Sequence, residues 1–247
     1  DRTYSRYKAD GTLENWADTC QRVVEGCYTL QQEHIEKHDL GWDKDHGQRS
    51  AQEMYERLYH QKFLASGRAL WCLGTDVVHQ RQLDMALYNC AFISTIDLEK
   101  DPSKPFCFLM DVSMLGTGCG ADTKGKDKVT IHQPIIPPNQ LALNYYTIDD
   151  TREGWVDSVR QLLNSYLLPD QVNIIFNYSD IRPEGVRLKT FGGVSSGSKP
   201  LEELHGKIRT VLHRDMKKTG KLTSTGIVDI FNLIGVCVVA GNVRRCI

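Results

Sequence analysis

Apolar positions recur at helical spacing from Glu14 to His38, where Trp16, Val23, Val24, Cys27 and Leu30 line one stripe, and the spacing predicts a first helix. A second helix is expected over Ser50–Leu64, opened by a capping-box pattern of Ser50 with Glu53 and carrying Met54 and Leu58. Gly67 then breaks the pattern within ASGRALW (65–71). The short β-leaning run CAFISTI (90–96) predicts a buried strand, and Phe106–Leu115 predicts a helix that ends in a glycine-rich turn at 116–120. Val129–Ile131 reads as a strand and Gln133–Asn144, with three prolines, as a loop. A helix starts at Asp150–Glu153 and runs through Trp155, Val159, Leu162, Leu163 and Tyr166. VNIIF (172–176) is the clearest buried strand, and two helices follow over Pro200–Lys217 and Thr225–Val239. The last of these is apolar almost all round, so it should lie inside a larger body than this chain supplies. Helices alternating with buried strands point to an α/β fold with parallel pairing.

Composition narrows the picture. The 247 residues carry 30 Lys+Arg against 31 Asp+Glu, a formal charge of -1, which argues against a dedicated nucleic-acid binder. No apolar run reaches membrane-spanning length and no secretory signal pattern opens the chain, so neither a membrane nor export is expected. The first residue is Asp, which suggests a fragment or a processed chain. The eight cysteines include no C-x-x-C pair and none sits near a His pair at zinc spacing; no metal site is expected. Most of them read as small core hydrophobes of a reduced protein.

Three segments could carry chemistry. Asn89-Cys90 stands at the mouth of a predicted strand, where α/β sites gather; the alternative is a core cysteine. Gly116–Gly120 permits close backbone approach but lacks the residues of a P-loop or a dinucleotide fingerprint. FGGVSSG (191–197) precedes a helix start with glycines and hydroxyls suited to a polar or anionic ligand, or is a plain flexible loop. Ser66-Gly67-Arg68 is a weaker candidate of the same kind, and the scattered histidines define no nucleophile–base pair.

Taken together, YNCAFIST (88–95), DTREGWVDS (151–158), SDIRPEGVRLKTFGGVSSGSKPL (179–201) and FNLIGVCVVAGNVRR (231–245) resemble adenosylcobalamin-dependent (class II) ribonucleotide reductases, nearest the monomeric ribonucleoside-triphosphate reductase type. TYSRYK (3–8), ENWADTCQRVVEG (14–26) and ASGRALW (65–71) fit the same family in order and spacing. The resemblance implies an N-terminal helical region over residues 1–65 and, over 66–247, the first half of a ten-stranded α/β barrel with an effector-specificity region. It implies reduction of ribonucleotides to 2′-deoxyribonucleotides by a thiyl radical generated with adenosylcobalamin, most of whose site would lie outside this chain. A barrel suits such chemistry because radical intermediates must be kept from water and oxygen.

Carried over by residue, Cys90 matches the first cysteine of the family's reducing pair, restored by thiol–disulfide exchange, with Asn89 and Ser66 as substrate contacts. Gly192, Gly193, Val194, Ser195, Ser196 and Gly197 match the loop that links effector to base recognition. The implied partners are a ribonucleotide substrate, a deoxynucleotide effector, a thioredoxin-like reductant and the missing C-terminal part of the reductase, in the cytoplasm. Cys119 falls where the family pattern gives no cysteine and receives no role. Cys246-Ile247 also departs from the pattern; it reads either as substitution beside a truncation or as an intein junction at Cys246. The competing functions are a non-catalytic nucleotide-binding module and one half of a split or intein-interrupted reductase.

Overall fold

The computed structural model describes residues 4–8, 10–138, 144–186 and 194–240. The chain divides into two compact units, Asp1–Asn89 and Cys90–Ile247. The first is helical. Helix α1 spans Trp16–Lys37, capped by Asn15 in a full capping box with Asp18. Helix α2 spans Lys44–Tyr59 with Asp43 as its cap, so it starts one and a half turns before the expected Ser50. Ser50 is not a cap: it sits inside the helix, its hydroxyl 2.5 Å from that of Tyr28. The polar run KDHGQR hid those turns, because only one face of them meets the rest of the unit.

The second helix has ended by ASGRALW, as expected, but at Tyr59, and Gly67 opens a new helix instead of serving as the breaker. Ser66 caps a short helix α3, Gly67–Cys72, followed by α4, Asp76–His79, and a 3-10 turn at Asp84–Leu87. Cys20, Val23, Val24, Leu58, Leu70 and Leu73 form the core of the unit. A buried ion pair ties it together: Arg22 donates from Nε to Glu14 Oε1 at 2.7 Å and from its other nitrogens to the carbonyls of Leu70 and Leu73. Side-chain exposure is 11% for Arg22 and 7% for Glu14, so each charge depends on the other. Gly26 lets α1 approach the next segment closely, since a Cβ there would fall 2.3 Å from the Gly74 nitrogen.

The second unit contains two parallel β-α-β crossovers. Strand β1 (Cys90–Ile93) leads through α5 (Lys104–Met114) to β2 (Gly118–Ala121), and β1 pairs with β2. Strand β3 (Asn144–Thr147) leads through α6 (Arg152–Leu167) to β4 (Ile174–Asn177), again a parallel pair. A helical crossover is what parallel neighbours require. Helices α7 (Lys199–Thr219) and α8 (Ser224–Ala240) close the unit. Its core joins Phe106 and Met110 of α5, Leu162 and Leu163 of α6, Leu204, Ile208 and Leu212 of α7, and Ile227, Ile230 and Ile234 of α8.

Three expectations are corrected. Gly118–Ala121 is a strand, and of the expected glycine turn only Gly116 lies in one; glycine masked the strand, since Gly carries no strand signal. Val129–Ile131 is no strand: Thr130 makes one isolated antiparallel bridge with Lys221. The run 90–96 is not a buried strand; β1 ends at Ile93, and Cys90 and Phe92 are exposed. Helix α8 buries Ile227, Ile230 and Ile234 but exposes Val228, Val236 and Val239. No helix among the described residues is long and apolar enough to cross a membrane.

Candidate functional site

The period-2 alternation of a strand sets what β1 displays. Ala91 and Ile93 are half-buried, while Cys90 and Phe92 are exposed on the opposite face. The register places Cys90 beside Gly118 and Phe92 beside Gly120. With no side chain at either glycine, the face around the Cys90 sulfur stays low and open, so a ligand's sugar could approach the thiol closely. Cys119 pairs with Ala91 and therefore lies on the other face, packed against the core. No disulfide joins the described cysteines.

The opposite end of the sheet is held by Asp122, which the sequence reading did not single out. Asp122 Oδ2 accepts from Ser94 Oγ at 2.7 Å, and Oδ1 accepts from the Thr95 amide and hydroxyl, both at 2.9 Å. The Lys124 amide donates to the same oxygen at 3.2 Å. Burial alone would raise this carboxyl, but the bonds from Thr95, Ser94 and Lys124 outweigh it and hold it well below the usual carboxylate range. Thr95 Oγ1 also accepts from the Gly125 amide at 2.9 Å, and a Cβ at Gly125 would fall 2.3 Å from the Thr95 carbonyl oxygen. The signal available was Asp122-Thr123-Lys124-Gly125, an Asp-initiated turn directly after a glycine run.

Ser66 and Asn89 belong to the first unit. Ser66 Oγ accepts from the Ala69 amide at 3.3 Å as the α3 cap and faces an open, mainly apolar groove of about 840 Å³ with Tyr28, Trp42 and His46. Asn89 Oδ1 accepts from Arg68 Nε at 3.4 Å, and Arg68 lies over the Trp71 ring. Cys90 opens the second unit.

Of the glycine-serine loop, Gly192 and Gly193 lie outside the described residues, as does Cys246. Val194, Ser195, Ser196 and Gly197 are described. Ser195 is buried and knots the segment: its amide donates to the Val186 carbonyl at 2.7 Å and its carbonyl accepts from Gly185 at 2.9 Å. Its hydroxyl donates to the Arg182 carbonyl at 3.3 Å and accepts from the Gly197 amide at 3.0 Å. Arg182 is anchored in turn on the Asp150 carboxylate. Ser198 spends its hydroxyl on Glu202. Hydroxyls read as suited to a ligand are thus engaged within the chain, that of Ser195 by backbone groups and that of Ser198 by a carboxylate. An open groove of about 480 Å³ beside them is lined by Glu184, Ser196, Lys199, Glu203, Lys207 and Val236.

Elsewhere burial makes groups inert. The thiols of Cys107 and Cys237 are pushed up to about 12 and that of Cys20 to about 11, each by desolvation. His205 is buried between Ser158 and Tyr178, against the Phe176 ring, and its imidazole is lowered to about 3 by burial and by nearby Arg209. Among the described residues, no three His, Cys, Asp or Glu side chains gather as a metal site. Both grooves are open to solvent.

An exposed thiol at the start of a parallel strand, beside glycines and followed by a helical crossover, marks the second unit as a thiol-bearing α/β domain. Comparison with known proteins makes the class particular. The family described as "Ribonucleotide reductase alpha domain" matches residues 1–75, and "B12-dependent ribonucleotide reductase, insertion domain" matches residues 121–212. A Dictyostelium discoideum protein named "Probable adenosylcobalamin-dependent ribonucleoside-triphosphate reductase" is 48% identical over 99% of this chain and 33% of its own. The Euglena gracilis adenosylcobalamin-dependent ribonucleoside-triphosphate reductase is 44% identical with the same coverage. A crystal structure of a B12-dependent (class II) ribonucleotide reductase superposes with a TM-score of 0.77 at 28% identity, covering 96% of this chain and 39% of that one. Over nearly all of its length the chain is similar to B12-dependent ribonucleotide reductases. It spans about a third of the length of the curated relatives it matches.

Proposed function

We propose that this chain forms part of an adenosylcobalamin-dependent ribonucleoside-triphosphate reductase and supplies one thiol of its reducing pair, Cys90. The observation that carries the reading is the exposed Cys90 on the glycine-bared face of β1, within a chain matched over 99% of its length by reductases of that name. In this reading the first unit and β1–β4 belong to the helical region and the first half of the ten-stranded barrel. Adenosylcobalamin, when bound by the whole enzyme, supplies the radical. Cys90 donates hydrogen to the deoxygenating ribose carbon and closes a disulfide with a second cysteine from the remainder of the enzyme, and a thioredoxin-like reductant reopens it.

Asn89 precedes this thiol in the chain, and Ser66 serves as a substrate contact from the first unit. The segment 192–197 transmits the identity of a deoxynucleotide effector, its second leg fixed by the Ser195 knot. Such an enzyme would work in the cytoplasm, where thiols stay reduced. The test is Cys90→Ser in a full-length reductase carrying this chain. It should retain formation of the cofactor radical, read by its absorbance, and lose thiol-dependent multiple turnover. Turnover at the wild-type rate would refute the role.

A further inference from the structure

Strand β2 reads Gly118-Cys119-Gly120-Ala121, and this composition leaves its register poorly specified. A one-residue slip exchanges the two faces of a strand, and glycine-rich strands resist it weakly because little side chain distinguishes one face from the other. Here a slip would trade a cysteine and an alanine for two glycines. The consequence is chemical. In the observed register Cys90 faces outward beside Gly118, and Cys119 faces inward beside Ala91. Slipped by one, Cys119 would stand directly beside Cys90 on the same face. Neighbouring strands lie ~4.8 Å apart, inside the ~4.4–6.8 Å Cα separation that a disulfide accepts.

What resists the slip is the cluster at the other end of the sheet. Asp122 follows β2 directly, and its carboxylate takes Ser94 Oγ, the Thr95 amide and Thr95 Oγ1, the two residues that directly follow β1. The Thr95 hydroxyl hands the constraint on to the Gly125 amide. At the Cys90 end the paired residue is Gly118, which has no side chain with which to fix the register.

We propose that Asp122 is a register lock, a positioning residue that keeps Cys119 off the face of Cys90 and so out of thiol–disulfide exchange. The proposal rests on the reading of Cys90 as a reducing thiol. Without the lock, an oxidant joins the two sulfurs. Both thiols lose their protons, the S–S bond forms, and the two electrons and two protons pass to the oxidant, which leaves Cys90 unable to pair with its proper partner.

The experiment treats the full chain with diamide, whose N=N bond is reduced to the hydrazine as the disulfide forms, and maps disulfides by non-reducing peptide mass spectrometry. Wild type should give no Cys90–Cys119 peptide. Asp122→Ala should give it, Asp122→Asn should give it in smaller yield, and Asp122→Ala with Cys119→Ser should abolish it. In a full-length reductase under diamide, Asp122→Ala should divert Cys90 from its proper disulfide into the Cys90–Cys119 peptide, and adding Cys119→Ser should restore the proper disulfide. A cross-link equally abundant in wild type overturns the proposal, as does its absence from cooperatively melting Asp122 variants. If Asp122→Ala does not fold, Asp122→Asn and Thr95→Val decide by the same peptide. Because the cross-link is read without turnover, normal activity of Cys90→Ser would strike the functional reading and leave the lock standing.

Discussion

Acidification should weaken this fold through one buried imidazole. Ser158 donates its hydroxyl proton to the Trp155 carbonyl at 2.7 Å, so it can only accept from His205 Nε2, 3.1 Å away. That fixes the proton on Nε2 and leaves Nδ1 to accept from the Tyr178 hydroxyl at 2.8 Å. Burial in a site only 2% exposed, with the nearby Arg209 charge, lowers the imidazole from 6.5 to about 3, and a second proton on Nδ1 would meet a donor. Because the folded value is depressed, its stabilisation is complete above pH 6.5. It is lost as pH falls toward 3, where the unfolded chain binds a proton that the folded one refuses. Between pH 7 and pH 5 the loss comes to about 2 kcal/mol, with a limiting slope of about 1.4 kcal/mol per pH unit. The assay is urea unfolding at both pH values for wild type and for His205→Gln, whose amide can serve both hydrogen-bond partners without titrating. The variant should be less stable at pH 7, having lost the ring packing against Phe176, and its pH dependence should be shallower by that same 2 kcal/mol. Parallel pH curves for the two proteins would refute the reasoning.

Other consequences are as direct. Glu14→Gln should destabilise the first unit by about 3–5 kcal/mol, because Arg22 is left as an uncompensated buried charge; thermal melting of that unit reads it. Asp215→Ala should cost about 2–4 kcal/mol in urea unfolding, since this carboxylate, 1% exposed, accepts from the Thr223 amide and hydroxyl at the start of α8 and pairs with Arg214. Iodoacetamide at pH 7.5 should label exposed Cys90 in the native chain and spare Cys107 and Cys237 until urea unfolds it, as peptide mapping would show.

The helices were legible wherever a buried stripe and a cap coincide. Thr151 caps α6 as its hydroxyl predicted, and α7 and α8 begin and end within two residues of expectation, since their apolar stripes meet the core they imply. Legibility failed where glycine or charge carries structure. Nothing local marks GCGA as a strand, because its pairing is imposed by β1, and the first turns of α2 are written in Lys, Asp, His and Arg. At the candidate site the cysteine was readable and its exposure was not. Alternation alone leaves open which face of β1 meets α5, and Ala91 and Ile93 take that side. The Asp122 cluster joins residues 27 and 28 positions apart, a pairing that only the parallel crossover creates.

That crossover also covers only one face of the first strand pair. Parallel strands are found with both faces covered, because their pairing is weaker and their crossover helices pack on them. In this chain α5 covers the Ala91–Ile93 face of the β1–β2 pair, while the Cys90–Phe92 face stands open with Phe92 62% exposed. A phenylalanine two residues from the Cys90 thiol, left in water, forgoes the stabilisation of hydrophobic burial. Helix α8 repeats the pattern, burying one stripe and exposing Val236 and Val239. The chain spans about a third of its relatives, and the uncovered face is the one that carries the thiol. If Cys90 has the role proposed above, its radical chemistry needs cover on that side of the strand, and the exposure of Phe92 independently favours cover on the same face.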